Sequence, residues 1–359
     1  MVSTDEFRPN WCSPPGETIA DILKDRALTV TRFAKLLGQT EDNAEALLVG
    51  RLAINNALAT KLSELLGASA AFWRAREAQY RSELERLASA TTPDDWLAGL
   101  PVADMAKFQW IPRLTRAAEK ITACLKFFGV DSVDEWHQRY NEPLGASAFR
   151  TSPSFPSEVG AVTAWLRQGE IEAESIKCAP WNADGLRAAI PELRALTKRR
   201  EPSTFVPDLQ AVCASHGVAV VVVRAPTGCR ASGATRFLSS DKALILLSVR
   251  HLSDDHFWFS FFHEVGHLLL HGAQRTFVDL DGDPTSPTEQ EANDFAARTL
   301  IPDQYRDKMR QVALQTMAII RLATQIGVSP GIVVGQLQHA RRLAHDKQNH
   351  LKRRFKWKD

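Results

Sequence analysis

The sequence predicts an α+β protein in which helical segments precede a small domain that combines strands and helices. Apolar residues recur at helical spacing before residue 205. Short β-branched or apolar runs follow at 217–225 and 243–250, and 232–239 alternates weakly as a third strand. A long apolar helix carrying several histidines comes next, over about 255–271. Three strands followed by a helix indicate a small sheet packed on that helix.

These changes in pattern divide the 359 residues into three predicted parts. Residues 1–90 form a helix-turn-helix bundle, 91–204 a helical middle region, and 205–359 an α+β domain with a basic C-terminal tail. The boundary near 91 rests on "TTPDDWLAG" (91–99), which we interpret as a linker because of its proline and charged pair.

The cysteine content and the absence of long apolar runs indicate the cellular compartment of the protein. The five cysteines are scattered without a C-x-x-C pair, so neither a disulfide framework nor a cysteine zinc site is indicated. Residues 1–10 have no apolar signal-peptide core, and no apolar run reaches the ~18 residues of a membrane span. We therefore expect a reduced, cytoplasmic protein that does not enter a membrane.

The first part has the pattern of a five-helix bundle. A helix over 17–26 is followed by a short helix that Gly38 ends, because glycine tolerates the left-handed conformation of a tight turn. Thr40 can cap the next helix, and two more follow at about 54–66 and 69–88. This order predicts a helix-turn-helix unit.

Residues 14–81 resemble the Xre-type helix-turn-helix domain of HigA-like antitoxins, through Pro15-Gly16-Glu17, the Ala34/Gly38 pair and Phe72-Trp73. The resemblance implies that the second helix of the unit reads DNA. That helix, however, begins with Glu41 and Asp42, and residues 1–90 have a net charge of −1. DNA binding and protein docking, including formation of a homodimer, therefore both stay open.

The last twenty residues, 340–359, hold eight basic against two acidic residues, a net charge of +6. Such a tail can meet nucleic acid or an acidic protein surface. The alternative is a solvated terminal helix.

The long apolar helix contains an H-E-x-x-H array formed by His263, Glu264 and His267. Positions i and i+4 share one helix face, so both imidazoles can bind a single ion. Glu264 lies beside them, where a general base can take a proton from an attacking water. Burying these groups in so apolar a helix without partners costs several kcal/mol. A zinc ion would remove that cost.

The third ligand is expected from a second helix, "TEQEANDFAARTLIP" (288–302). Its helical phase turns Glu289 nearer to the core than Glu291, so Glu289 is the predicted ligand and Glu291 the alternative. Asn293 lies on the same side as Glu289 and can orient a ligand. His271 is turned about 80° from His263 and lies about 12 Å further along the axis, so we interpret it as a bystander.

The segment between these helices, residues 273–288, contains Asp279, Asp281 and Asp283. A calcium loop would need glutamate at its twelfth position, where Gln290 stands, so a mobile loop or lid is the preferred interpretation. The strand over 232–239 can align an extended substrate by β-augmentation. Residues 319–343 have a second helix-turn-helix pattern, for which packing is the preferred role and nucleic acid the alternative.

"HEVGHLLLH" and "EQEANDFAARTLIP" resemble the ImmA/IrrE family of zinc metallopeptidases, and the likeness extends from about 205 to 345. It implies a small gluzincin-like fold with His263, His267 and Glu289 as zinc ligands and Glu264 as general base. Its implied activity is regulatory cleavage of an Xre-type repressor or antitoxin-like protein during stress, mobile-element induction or defence. Thr299 departs from the usual leucine of the family, on a packing face.

We therefore expect a zinc-dependent regulatory endopeptidase. Two alternatives remain. One is a DNA-binding transcriptional regulator or antitoxin whose peptidase-like domain acts as a sensor. The other is a component of a toxin–antitoxin or phage-defence module in which the first domain docks a partner protein.

Overall fold

The computed structural model describes residues 12–26, 28–90, 92–141, 155–272, 277–279 and 287–357. Its helices are α1 (Pro15–Asp25), α2 (Val30–Leu37), α3 (Glu41–Leu48), α4 (Asn56–Leu66), α5 (Ala70–Ala90), α6 (Pro93–Ala98), α7 (Val102–Lys107), α8 (Ala117–Phe128), α9 (Val133–Trp136), α10 (Phe155–Ser175), α11 (Ala183–Ala195), α12 (Pro202–Ala214), α13 (Asp254–His271), α14 (Pro287–Leu300), α15 (Arg306–Gln311), α16 (Thr316–Ile326) and α17 (Pro330–His339). Its strands are β1 (Val218–Val222), β2 (Gly233–Ser239), β3 (Lys242–Leu247) and β4 (Phe277–Asp279). The α+β prediction is confirmed.

The chain divides into two compact units. The first comprises Met1–Val102 and Ile111–Phe155, and the second comprises Ala103–Trp110 and Pro156–Asp359.

The first unit is helical, and its N-terminal helices α1–α5 enclose a core that includes Phe33, Leu62 and Trp73. Gly38 ends α2 in the left-handed conformation, at φ 66°, and Thr40 caps α3 by accepting a hydrogen bond from the backbone of Asn43. The expected order of helices is therefore present. Assignment to the Xre group stays a prediction.

The interpretation of residues 91–99 as a linker is wrong, because helix α6 lies within this segment. Thr92 and Asp95 form a reciprocal capping box at its start, and Pro93 occupies its first turn. Trp96 is 3% exposed, so the helix is fixed by a buried side chain as well as by its cap.

The second unit contains a four-stranded sheet with the order β1-β3-β2-β4 among its described strands. β1 runs parallel to β3, while β2 is antiparallel to both β3 and β4. Its core lies between the sheet and α13 and is rich in aromatic side chains, among them Phe205, Trp258, Phe261 and Phe262. The sheet and its neighbouring helices thereby hold α13 by its apolar face.

The second helix-turn-helix pattern corresponds to α16 and α17, which bury most of their apolar side chains in this core. By length and apolar character, none of the described helices could cross a membrane singly. Only α16 and α17 taken together pass that test, and they are bent by 107°.

The basic tail is not a terminal helix. Its described part, residues 340–357, is irregular apart from a 3₁₀ turn at Asn349–Leu351. The backbone N–H of Asp254 donates to the carbonyl oxygen of Arg353, and the backbone N–H of Arg353 donates to Oδ1 of Asp254. Lys352 forms an ion pair of 2.6 Å with Asp255. Phe355 is 6% exposed within the core. The tail thus fastens the start of α13.

Candidate metal centre

Helix α13 carries the H-E-x-x-H array on a buried face. It begins after Ser253 with two acidic residues in its first turn, which the helix dipole favours. The array residues His263, Glu264 and His267 are 2%, 0% and 1% exposed. All three polar side chains therefore depend on partners inside the protein.

Helices α13 and α14 cross at small residues. A Cβ atom at Gly266 would lie 3.2 Å from the Cα atom of Ala292 and 3.2 Å from Cδ1 of Phe295. Because no side chain separates the two backbones here, the first turn of α14 comes within reach of the array. Glu289 lies in that turn.

Three potential ligands meet at this crossing. The Nε2 atoms of His263 and His267 are 3.0 Å apart, and they lie 3.1 Å and 3.4 Å from the carboxylate oxygens of Glu289. All three groups can supply ligand atoms within 4.8 Å of one another. Tetrahedral zinc with ligand bonds of about 2.0–2.1 Å requires ligand atoms about 3.3–3.4 Å apart. The donor types and their spacing therefore fit a zinc ion.

The ionisation of this group also suits a cation. Burial lowers the pKa of His267 below its usual value, and the neighbouring imidazoles act in the same direction. Burial raises the pKa of Glu289, but hydrogen bonds with His263 and His267 outweigh it and lower that pKa to about 2. A neutral imidazole and an ionised carboxylate are the forms that bind metal.

Each imidazole has a further contact through its other nitrogen. Nδ1 of His263 lies 3.0 Å from Oδ1 of Asn293, in the place that the sequence suggested for an orienting residue. Nδ1 of His267 lies 3.1 Å from Nδ1 of His271. As predicted, His271 is not among the three residues that meet. It nevertheless contacts the ligand His267, because it is four residues away and shares its face of the helix, so it is not a bystander.

Glu291 was the alternative to Glu289, and the structure places it elsewhere. Its Oε2 atom lies 2.9 Å from Nε2 of His271, and its side chain is 63% exposed. Glu291 is therefore not one of the three potential ligands, His263, His267 and Glu289. It is linked to His267 only indirectly, through His271.

Glu264 is held by strand β2, through two residues that the sequence did not single out. The hydroxyl of Thr235 donates a 2.5 Å hydrogen bond to Oε2 of Glu264. A Cβ atom at Gly233 would lie 2.3 Å from Oε1 of Glu264, so any larger residue there would require the carboxylate to move. The small residues in "SGAT" (232–235), at the start of the predicted strand 232–239, were the available signal.

Strand β2 is not a free edge over its first residues. Gly233, Ala234 and Thr235 pair with Asp279, Val278 and Phe277 of β4. Phe277–Asp279 belongs to the segment interpreted above as a loop or lid, so that interpretation is wrong for these three residues. The positions of Asp281 and Asp283 lie outside the described residues.

Comparison with protein-family models gives a match over the part of the chain that contains this site. Residues 215–338 match the Peptidase M78 family model, described as an IrrE N-terminal-like domain. The match includes β1–β3, α13 and α14, and hence every residue of the candidate metal centre. It identifies a peptidase-like domain within the chain. No curated protein matched the sequence.

Proposed function

We propose that the second unit is a zinc-dependent endopeptidase that cleaves a regulatory protein of the repressor or antitoxin type. One observation carries the proposal. Two imidazole nitrogens and a carboxylate lie within 3.0–3.4 Å of one another, beside a fully buried glutamate. That combination is the donor set and general base of a zinc hydrolase.

His263, His267 and Glu289 would hold the zinc ion. When bound there, zinc supplies Lewis-acid chemistry, which polarises a carbonyl group and makes water more acidic. Three protein ligands leave room for a reactant in a tetrahedral site.

Glu264 acts as the proton carrier in this proposal. Its carboxylate takes the proton from the attacking water and passes it to the nitrogen of the leaving amine. The hydroxyl of Thr235 fixes the carboxylate by donating to Oε2. The same residue thus serves as base and then as acid.

The substrate is expected to bind as an extended strand, which adds its backbone to a sheet edge. Because β4 covers the edge of β2 at residues 233–235, the candidate edges on this side of the described sheet are the outer side of β4 and residues 236–239 of β2. Arg236 forms an ion pair with the buried carboxylate of Glu170, which supports that part of β2 from α10.

The test is substrate trapping with Glu264→Gln in the native cell. We expect the variant to keep its zinc, to lose cleavage, and to retain an uncleaved repressor or antitoxin-like protein. His263→Ala is the matched comparison, because it should lose the metal as well as the activity. Unchanged cleavage by Glu264→Gln would refute the proposal, and recovery of DNA alone would favour a sensor domain in a DNA-binding regulator.

A further inference from the structure

The last turn of α13 places a third histidine beside the metal centre. The helix extends to His271 and ends at Gly272, where φ is 74°. The spacing from His267 to His271 is one helical turn, so both rings lie on the same face. The side chain of His271 is 7% exposed, although it stands at the end of the helix.

His271 joins two residues that are not neighbours in the sequence. Its Nδ1 atom lies 3.1 Å from Nδ1 of His267, and its Nε2 atom lies 2.9 Å from Oε2 of Glu291. Glu291 is on α14, two residues after the ligand Glu289. The three residues therefore form a chain of contacts that runs from Glu291 through His271 to the ligand His267. We call this chain of contacts the relay.

The positions of the protons in this relay follow from the chemistry of imidazole. A neutral histidine that binds metal through Nε2 carries its proton on Nδ1. The Nδ1–H group of His267 must then donate to Nδ1 of His271, which accepts only when the proton of His271 is on Nε2. That Nε2–H group donates to the carboxylate of Glu291. A single assignment satisfies all three groups.

The two ligand histidines are thus supported in different ways. His263 has a direct acceptor, the amide oxygen of Asn293, at 3.0 Å. The acceptor of His267 is the imidazole of His271, whose Nδ1 atom can either accept a hydrogen bond or carry a proton. A proton acceptor at Nε2 of His271 keeps the proton on Nε2, so that Nδ1 can accept from His267.

We propose that His271 and Glu291 are positioning residues, which hold His267 in the tautomer and orientation that bind the metal. The inference rests on the zinc centre of the proposed function. Partners of this kind affect metal affinity by about 10- to 100-fold. Neither residue has to touch the substrate.

The experiment measures zinc affinity of the full chain by competition with a chromophoric chelator. We expect Glu291→Ala to weaken zinc binding by about 10-fold and His271→Ala by about 10- to 100-fold. Glu291→Gln should restore most of the affinity, because its amide oxygen still accepts from His271. Since Glu291 is 63% exposed, its variants should leave the fold of the metal-free protein intact.

Asp294→Ala is the matched control, because it removes a negative charge from an exposed position of the same helix. It should leave zinc affinity unchanged. The visible spectrum of the cobalt-substituted protein gives a second readout, which should change with His271→Ala and Glu291→Ala and stay as in the wild type with Asp294→Ala.

The outcomes separate the two proposals. If the wild-type chain binds one zinc ion but Glu291→Ala and His271→Ala bind it equally tightly, the positioning role is refuted while the metal centre stands. If Glu291→Ala and Asp294→Ala weaken zinc binding equally, the loss comes from removing a negative charge near the site, and the positioning role is refuted. If the wild-type chain binds no zinc, the proposed function itself fails.

Discussion

Loss of the ion pair between Lys352 and Asp255 should destabilise the second unit. The two side chains are 9% and 7% exposed, and Nζ lies 2.6 Å from Oδ2. Lys352→Met keeps most of the buried side-chain volume and removes the charge. Asp255 would then be a buried carboxylate without its counter-ion.

The magnitude follows from that burial. Removing one partner of a buried pair costs about 3–5 kcal/mol. Ser253 still donates a 2.7 Å hydrogen bond to Asp255, so we expect the lower end, about 3 kcal/mol. For a domain of this size, each kcal/mol lowers Tm by about 2–4 °C, which gives about 6–12 °C.

The assay is thermal unfolding of four chains: wild type, Lys352→Met, Asp255→Asn and the double variant. The double variant should be more stable than the sum of the single effects predicts, because no unpaired charge remains. Lys356→Met is the control, since Lys356 is an exposed residue of the same tail, and its Tm should match the wild type. A Lys352→Met protein as stable as that control, or strictly additive effects, would refute the reasoning.

Three further predictions concern the metal centre and the core. Gly233→Ala should displace Glu264 and lower cleavage by about 100-fold or more while zinc content stays constant, which metal analysis beside cleavage of the trapped substrate would check. Asn293→Ala should weaken zinc binding by about 10- to 100-fold through loss of the acceptor for His263, and equal affinity in chelator competition would contradict this. Because burial raises the pKa of Cys213 to about 12, its thiol carries little thiolate at pH 8 and should resist iodoacetamide until the protein is unfolded, as mass spectrometry can measure.

The helices of the candidate site could be predicted because their signals are local. The spacing from His263 to His267 and the phase of Glu289 depend only on helical geometry, and the structure brings these three residues together. The same helical geometry turns His271 away from His263 but places it one turn from His267, beside that ligand.

Other features depend on partners that are distant in the chain. The positive charge of the tail is visible in the sequence, but nothing local indicates that Lys352 and Arg353 meet Asp255 and Asp254, about a hundred residues earlier. In the same way, β4 is only three residues long and takes its conformation from pairing with β2. For helix α6 the local signals themselves were ambiguous, because the proline and charged pair that indicate a linker also begin a helix when Thr92 caps it and Pro93 stands in its first turn.

Because α13 and α14 cross closely at Gly266 and Ala292, an ion in the candidate metal centre would link the two helices. Two ligands come from one helix and one from the other, so an ion bound there opposes their separation. Binding to the folded form alone raises stability by about 2.7 kcal/mol when the free ion is at 100 times its Kd. If the proposed zinc ion binds there, adding it should therefore raise the melting temperature of the second unit, and this measurement needs no knowledge of the substrate.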